Sequence, residues 1–162
     1  MLPIASQPLS LGFAPRRMSD LHFRCTSEEE TNKAGREIAA LLPPDAVVLL
    51  RGDLGAGKTF LVRSIAAALG ADPQHVSSPS FALVHEYLRE DGTSLIHIDG
   101  YRLSDRPVEW MEIGIPDLLR AEGLKFIEWP REGFPLGNKQ PISIDVRVNE
   151  DESRTIDVEG LS

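Results

Sequence analysis

The 162-residue sequence contains little of what several protein classes require. It has one cysteine, Cys25, which excludes an intramolecular disulfide and a zinc site built from cysteines. Its longest apolar runs, such as residues 47–50, fall far short of the ~20 residues that a membrane-spanning helix needs. Basic residues are also few, with 17 Lys and Arg against 25 Asp and Glu, and the formal charge is −8. This charge argues against an autonomous nucleic-acid-binding protein, which usually carries a basic face.

The bulk composition is that of an ordinary globular protein, with 41% hydrophobic and 26% charged residues. A chain of this length can bury roughly two thirds of its unfolded surface, so it needs no metal or disulfide to fold. Residues 1–19 differ from the rest, because they contain prolines but no acidic residue. Arg16 and Arg17 follow the apolar positions of this segment, whereas a secretory signal places its positive charges before them. We therefore expect a disordered tail at 1–19 and one domain at 20–162, in a soluble cytoplasmic protein without membrane association.

From residue 20 onward, strand-like segments alternate with helix-like segments, which is typical of an α/β fold. Ser27, with Glu30 three residues later, predicts the start of a first helix, and Pro43-Pro44 predicts its end. The continuous apolar run at 46–50 predicts a strand buried on both faces. The other predicted elements are helices at 58–69 and 116–122, strands at 21–25 and 124–128, and two hairpins that pair 81–88 with 94–98 and 142–148 with 155–158.

The most informative segment is Gly52-Asp53-Leu54-Gly55-Ala56-Gly57-Lys58-Thr59, which fits the phosphate-loop (P-loop) pattern G-x-x-x-x-G-K-[ST]. It lies between a predicted buried strand and a predicted helix, as the motif requires. Glycines let backbone N–H groups point inward as a nest for phosphate oxygens, and the start of the helix adds the positive end of its dipole. Lys58 can reach the terminal phosphates, and the Thr59 hydroxyl can ligate a bridging magnesium ion. The motif predicts a P-loop NTPase-type three-layer fold, with a mainly parallel central sheet extended by antiparallel hairpins.

Other nucleotide-binding classes fit the sequence less well. A dinucleotide fingerprint, G-x-G-x-x-G, fails because Phe60 occupies the position of its third glycine. Guanine recognition through N-K-x-D fails because Pro141 replaces the acid after residues 138–140, and the D-x-x-G pattern at 157–160 comes too late in the chain. A free-standing kinase that phosphorylates a small metabolite stays open as an alternative, since the acceptor pocket of such kinases has no universal signature.

A P-loop enzyme also needs an acidic residue at the end of a neighbouring strand to hold the magnesium ion. Asp99 and Glu128 both fit, since each is a carboxylate that ends an apolar strand. His97 shares a strand face with Asp99, but no second histidine lies nearby in sequence, and we interpret it as a core or rim residue. We interpret Trp110 and Trp129 as packing anchors rather than base-stacking platforms.

Four segments occur in a specific order along the chain. They are the P-loop, Ser78-Pro79-Ser80-Phe81, His97-Ile98-Asp99-Gly100-Tyr101-Arg102 and Ile127-Glu128-Trp129-Pro130. Together they resemble the TsaE family of bacterial ATPases of tRNA threonylcarbamoyladenosine biosynthesis, formerly called YjeE. The P-loop alone would be generic, whereas the ordered set is much more specific. The resemblance runs from about residue 26 to the final hairpin.

This resemblance implies an ATPase that uses ATP and Mg²⁺ and works with two partner proteins, TsaB and TsaD. In such systems TsaD transfers threonylcarbamoyl to the adenosine next to the anticodon of tRNA, and the ATPase resets the TsaB–TsaD pair between turnovers. The acidic charge is consistent with a protein that meets protein partners directly and tRNA only indirectly.

The resemblance also implies roles for particular residues. Thr59 and Glu128 would be magnesium ligands, and Lys58 the phosphate clamp. Asp99 would be the acid near the terminal phosphate, where it holds either metal-bound water or the attacking water. Residues 77–81 would form the switch loop that senses the γ-phosphate. The nucleotide-binding residues would be Asp53, Leu54, Gly55, Ala56, Gly57, Lys58, Thr59, Phe60, Ser80 and Glu28.

Three positions depart from the pattern of the family. Phe60 stands where a threonine is common. Ser80 replaces the usual threonine but keeps the hydroxyl. Gly100 occupies a position that is usually larger and apolar, and we expect it to loosen the end of its strand.

Overall fold

The computed structural model describes residues 20–76 and 83–161 of the chain. The predicted tail at 1–19 lies outside the described residues, and the domain boundary at residue 20 stays a prediction. In chain order the elements are β1 (Leu21–Cys25), α1 (Glu28–Leu41), β2 (Val47–Arg51), α2 (Lys58–Ala68), β3 (Val84–Leu88), β4 (Ser94–Asp99), α3 (Pro107–Glu112), α4 (Ile115–Arg120), β5 (Leu124–Glu128), β6 (Ile142–Val148) and β7 (Arg154–Glu159). Within these ranges no helix is long and apolar enough to cross a membrane.

The strands form one seven-stranded sheet in the order β1-β7-β6-β2-β5-β4-β3. The four central strands β6, β2, β5 and β4 run parallel. The outer pairs β1–β7, β7–β6 and β4–β3 are antiparallel, which places both predicted hairpins at the flanks of the parallel centre. This sheet confirms the predicted fold class.

Helices cover both faces of the sheet, because its central strands are apolar on both sides. Val48 and Leu50 pack in one core, which contains the buried apolar side chains of α1 and α2. Val47 and Leu49 pack in a second core, which contains the buried residues of α3 and α4. The continuous apolar run of β2 is therefore explained by burial on two faces, as its sequence predicted.

The start of α1 is capped as predicted, with one difference. The Ser27 hydroxyl accepts a hydrogen bond from the Glu30 N–H at 3.2 Å. The Glu30 carboxylate reaches back one residue further than a capping box requires, and accepts from the N–H and hydroxyl of Thr26 at 2.5 and 2.9 Å. These bonds hold the pKa of Glu30 below its ordinary value.

Helix α3 was not predicted from the sequence. It is six residues long, starts at Pro107 and buries one side chain, Trp110, so it is too short to show a helical period. Trp110 packs edge-on against Phe134 with ring centroids 4.8 Å apart, which confirms it as a packing anchor. The other elements match their predicted positions within one residue at most ends. There are two exceptions. The helix predicted to end at residue 122 ends at Arg120, and β3 begins at Val84 instead of residue 81, with residues 81 and 82 outside the described ranges.

The two helices behind β2 pack closely at a glycine. A Cβ atom on Gly35 of α1 would lie 2.6 Å from the Ser64 Cβ of α2. Next to this point the Ser64 hydroxyl donates to the Asn32 side-chain oxygen at 2.6 Å. Because α2 carries the end of the P-loop, this contact fixes the loop from behind.

We expect Gly35→Ala to destabilise the protein by about 1–3 kcal/mol, because the added methyl group forces α1 and α2 apart. Helix propensity acts in the opposite direction and alone would stabilise the variant by up to ~1 kcal/mol. Urea unfolding of the variant measures the difference. Arg36→Ala, at the exposed neighbouring position, is the control and is expected to change the unfolding free energy by less than about 0.5 kcal/mol. A Gly35→Ala variant more stable than the parent would contradict the packing argument.

Candidate functional site

The P-loop connects the end of β2 to the start of α2, and its shape depends on glycine. Gly52, Gly55 and Gly57 have φ angles of 145°, 80° and 105°, a region that other residues rarely adopt. A Cβ atom on Gly52 would lie 2.3 Å from the Val146 carbonyl oxygen of β6. The Ala56 N–H donates to the Asp53 carbonyl at 3.0 Å and closes the turn between them. The loop is thus held against the sheet in the compact form that the motif predicts.

Lys58 is the buried cation of the site. Its side chain is only 4% exposed, and its Nζ donates to the Gly52 and Asp53 carbonyl oxygens at 2.6 and 3.0 Å. The ammonium group also lies 4.4 Å from the centre of the Trp129 ring. Burial lowers the pKa of Lys58, while the nearby carboxylates, Glu128 foremost, act in the opposite direction.

A single carboxylate oxygen of Glu128 is contacted by side chains from two other elements. The Oε1 atom of Glu128, at the end of β5, accepts a hydrogen bond from the Thr59 hydroxyl of α2 at 2.8 Å. The same atom lies 2.8 Å from Nε2 of His97 on β4, which is fully buried. An ionised carboxylate only accepts, so we assign the proton to Nε2. Burial raises the pKa of Glu128, but His97, Thr59 and Lys58 together outweigh it and hold the pKa below its ordinary value.

Asp99 lies beside Glu128, because the two residues are register partners at the ends of adjacent parallel strands. Asp99 is buried, and its Oδ1 accepts from the Tyr101 N–H at 2.8 Å. The following residue corrects one expectation. The Gly100 N–H donates to the Glu128 carbonyl at 2.8 Å, and a Cβ atom there would lie 2.2 Å from the Trp129 carbonyl oxygen. Gly100 therefore lets the strand ends approach closely and does not loosen them.

These groups surround a cleft of about 430 Å³. The residues that line it are Leu54, Gly55, Gly57, Lys58, Thr59, Phe60, Asp99, Tyr101, Arg102, Glu128 and Trp129.

The cleft brings together most of the predicted site residues, but not all of them. Asp53 lines a neighbouring cavity of about 460 Å³, and Ala56 is buried within the loop. Glu28 is exposed at the start of α1 and does not line the cleft. Ser80 and the rest of the predicted switch loop lie outside the described residues.

Sequence reasoning missed three contributors to the site. His97 is fully buried, which confirms its interpretation as a core residue, but its contact with the Glu128 carboxylate was not predicted. Trp129 has a φ of 52° and lies between Lys58 and Tyr101, whose ring centroid is 5.1 Å away, so it is part of the cleft wall. Arg154 of β7 donates from Nε to the Ala56 carbonyl at 3.1 Å. A signal for His97 was its position two residues before Asp99, on the same face of the strand, whereas no local pattern marks Arg154.

The cleft offers a small number of oxygen ligands, which suits a hard cation whose other ligands come from a bound anion and from water. Within residues 20–76 and 83–161, no group of three His, Cys, Asp or Glu side chains could hold a metal ion by itself. The Thr59 hydroxyl and the Glu128 carboxylate are oxygen donors next to the P-loop. Magnesium is commonly held by one or two protein oxygens together with phosphate oxygens and water, so the residues fit that ion.

The fold and the loop define the class of the protein, which is an α/β protein of the P-loop NTPase type. Comparisons with known proteins agree. A family model described as "Threonylcarbamoyl adenosine biosynthesis protein TsaE" matches residues 25–156. The chain therefore belongs to the TsaE family.

Individual relatives support this assignment. The protein is 39% identical to a tRNA threonylcarbamoyladenosine biosynthesis protein TsaE of Aquifex aeolicus, over 80% of this chain and 89% of that one. It is 35% identical to the TsaE protein of Rickettsia bellii, over 82% of this chain and 90% of that one. The crystal structure of YdiB from Bacillus subtilis superposes with a TM-score of 0.66 at 26% identity, covering 88% of this chain and 86% of the other.

The shared oxygen of Glu128 generates a prediction about His97. Ionised Glu128, with its lowered pKa, stabilises the fold above the ordinary pKa of about 4.3, and this contribution is lost as the pH falls through the folded-state value. His97→Leu removes a partner that lowers the pKa of Glu128, whereas the burial that raises this pKa remains. We therefore expect the pKa of Glu128 to rise. Because a buried pair is broken, the unfolding free energy at neutral pH should fall by roughly 3 kcal/mol. Carboxyl NMR titration and urea unfolding measure the two effects.

His85→Leu is the matched control, since His85 is the register partner of His97 on β3 and bonds to the Tyr87 hydroxyl instead. We expect it to leave the titration of Glu128 unchanged. Equal titration curves of Glu128 in the two variants would show that His97 does not tune the carboxylate.

Proposed function

We propose that this protein binds ATP with Mg²⁺ and hydrolyses it to support a TsaB–TsaD protein complex, which modifies the adenosine next to the anticodon of tRNA with threonylcarbamoyl. The observation that carries the proposal is one cleft in which the buried Lys58 ammonium and the Thr59–Glu128 pair lie at the end of a glycine loop. Membership of the TsaE family supports the pathway.

The loop and Lys58 would bind the phosphates. Backbone N–H groups of a P-loop and the start of the helix that follows it attract anions, and Lys58 adds a buried positive charge. Its bonds to the Gly52 and Asp53 carbonyls hold the ammonium group at the mouth of the nest. A cation positioned in advance in this way loses little side-chain entropy when it meets a phosphate.

Thr59 and Glu128 would hold the magnesium ion, which supplies positive charge to the phosphate oxygens when bound. Glu128 suits this role, since Oε1 is held by Thr59 and His97 while the residue lines the cleft. Asp99, one strand away, would hold either metal-bound water or the attacking water. Its Oδ1 is held by the Tyr101 N–H, and the residue lines the cleft.

Protein partners fit the surface of this chain better than tRNA does. The formal charge of −8 opposes direct contact with a polyanion, so tRNA would be reached only through TsaB–TsaD, in the cytoplasm. Residues 77–81, with the Ser80 hydroxyl, stay the predicted γ-phosphate sensor, and they lie outside the residues that the structure describes.

A release assay tests the proposal. ADP formed by the purified protein with ATP and Mg²⁺ is measured alone, with purified TsaB and TsaD, and with a panel of small hydroxyl acceptors. We expect slow turnover alone, stimulation by the protein pair and none by the acceptors. Stimulation by an acceptor, with none by TsaB–TsaD, would instead establish a small-molecule kinase.

Two carboxylate variants test the division of labour. Glu128→Gln should weaken ATP binding about tenfold or more with Mg²⁺ present and affect metal-free binding less, because the amide oxygen can still accept from Thr59 and His97 but lacks the charge that holds the metal ion. Asp99→Asn should retain binding and slow single-turnover hydrolysis by roughly a hundredfold or more, the effect expected of a group that positions or activates water. Titration calorimetry and quenched-flow measurements separate the two effects. Equal losses in binding and hydrolysis for both variants would contradict these assignments.

A further inference from the structure

The side chain of Arg154 joins the C-terminal hairpin to the P-loop. Arg154 is the first residue of β7 and is the register partner of both Cys25 and Val148. Its half-buried side chain leaves the sheet and donates from Nε to the Ala56 carbonyl at 3.1 Å. This contact spans 98 positions of sequence, so it is a tertiary constraint on the loop.

The turn that precedes Arg154 is tightly bonded. The Asn149 N–H donates to the Ser153 carbonyl at 2.8 Å, and the Asn149 side-chain amide donates to the hydroxyls of Ser153 and Thr155. Asp151 accepts from the Ser153 hydroxyl at 2.6 Å and from its N–H at 3.2 Å. Ser153 is buried. The hairpin therefore presents the guanidinium group to the loop from a fixed position.

The contact lies on the peptide bond that joins Ala56 to Gly57. No cis peptide bond occurs within the described residues, so the C=O and N–H of this planar unit point in opposite directions. The side chain also lies against Gly57, where a Cβ atom would be 3.2 Å from Nε. Gly57 lines the cleft, whereas Ala56 and Arg154 do not. Because the Ala56 carbonyl faces Arg154, the Gly57 N–H of the same peptide unit points away from Arg154.

We propose that Arg154 is a positioning residue, which orients the Gly57 N–H toward the phosphates of a bound nucleotide by holding the Ala56 carbonyl. This inference rests on the proposed nucleotide binding. In this role the hydrogen bond from Nε matters more than the charge of the guanidinium group. A direct electrostatic role in phosphate binding would depend on the charge and not on a donor at that atom.

Two neutral substitutions separate the hydrogen bond from the charge. In Arg154→Gln the side-chain amide nitrogen is bonded to Cδ, as Nε is in arginine. The variant therefore keeps a donor at this position without the charge. Arg154→Met has similar length and neither donor nor charge. Arg147→Met is the control, since it removes an exposed cation from β6 of the same hairpin that pairs with Asp157 and does not touch the loop. ADP binding without magnesium is measured by titration calorimetry, together with the melting temperature of each variant.

We expect Arg154→Met to weaken ADP binding by roughly ten- to a hundredfold, the range for losing a hydrogen bond to a charged group. Arg154→Gln should retain most of the affinity, and Arg147→Met nearly all of it. Equal losses in the Gln and Met variants would overturn the positioning role in favour of a charge effect. Unchanged ADP affinity in Arg154→Met would overturn both. If the parent protein itself fails to bind ADP, the proposed function fails, and this outcome is distinct from the other two.

Discussion

One oxygen atom, Oε1 of Glu128, organises the candidate site. It accepts from the Thr59 hydroxyl and faces His97 Nε2, each at 2.8 Å, so a helix and two strands meet at a single acceptor. Glu128 is 3% exposed, and a buried carboxylate is costly unless such partners compensate for lost hydration. Here compensation is strong enough to keep the pKa of the group below its ordinary value. Removal of either partner would leave a buried charge under-compensated, so the position of α2 relative to β4 and β5 depends on this atom.

The strand order explains why the charged groups converge. Strands β2, β5 and β4 are parallel neighbours, so the P-loop, Glu128 and Asp99 all follow carboxyl ends at one edge of the sheet. The buried Lys58 cation lies near the carboxylates of Glu128 and Asp99, and these oppose the fall in its pKa that burial causes. The carboxylates therefore reduce, but do not cancel, the cost of burying the Lys58 charge.

The sequence predicted the parts of the fold that local patterns encode. The apolar run of β2, the capping serine before α1 and the P-loop motif each mark their elements, because burial, capping and backbone freedom restrict residue choice locally. The six-residue α3 has no such pattern, and Arg154 reaches the loop only through the pairing of β7 with β1 and β6. The ligand-like residues were predicted by type and position. The contacts that His97 and Arg154 make with them were not, because a contact between strands leaves no fixed spacing in the chain.

The backbone segments at the ends of the central strands approach each other closely. Gly100 leaves no room for a Cβ atom against the Trp129 carbonyl, and Gly52 leaves none against the Val146 carbonyl. Trp129 itself has a φ of 52°, a conformation that costs of order 1–3 kcal/mol in a non-glycine residue. Its ring lies against the Lys58 ammonium, and a shielded cation–π contact of this kind contributes up to about 2 kcal/mol. The contact with Lys58 therefore offsets the cost of the Trp129 backbone conformation. It also couples the backbone at the end of β5 to the charge at the P-loop.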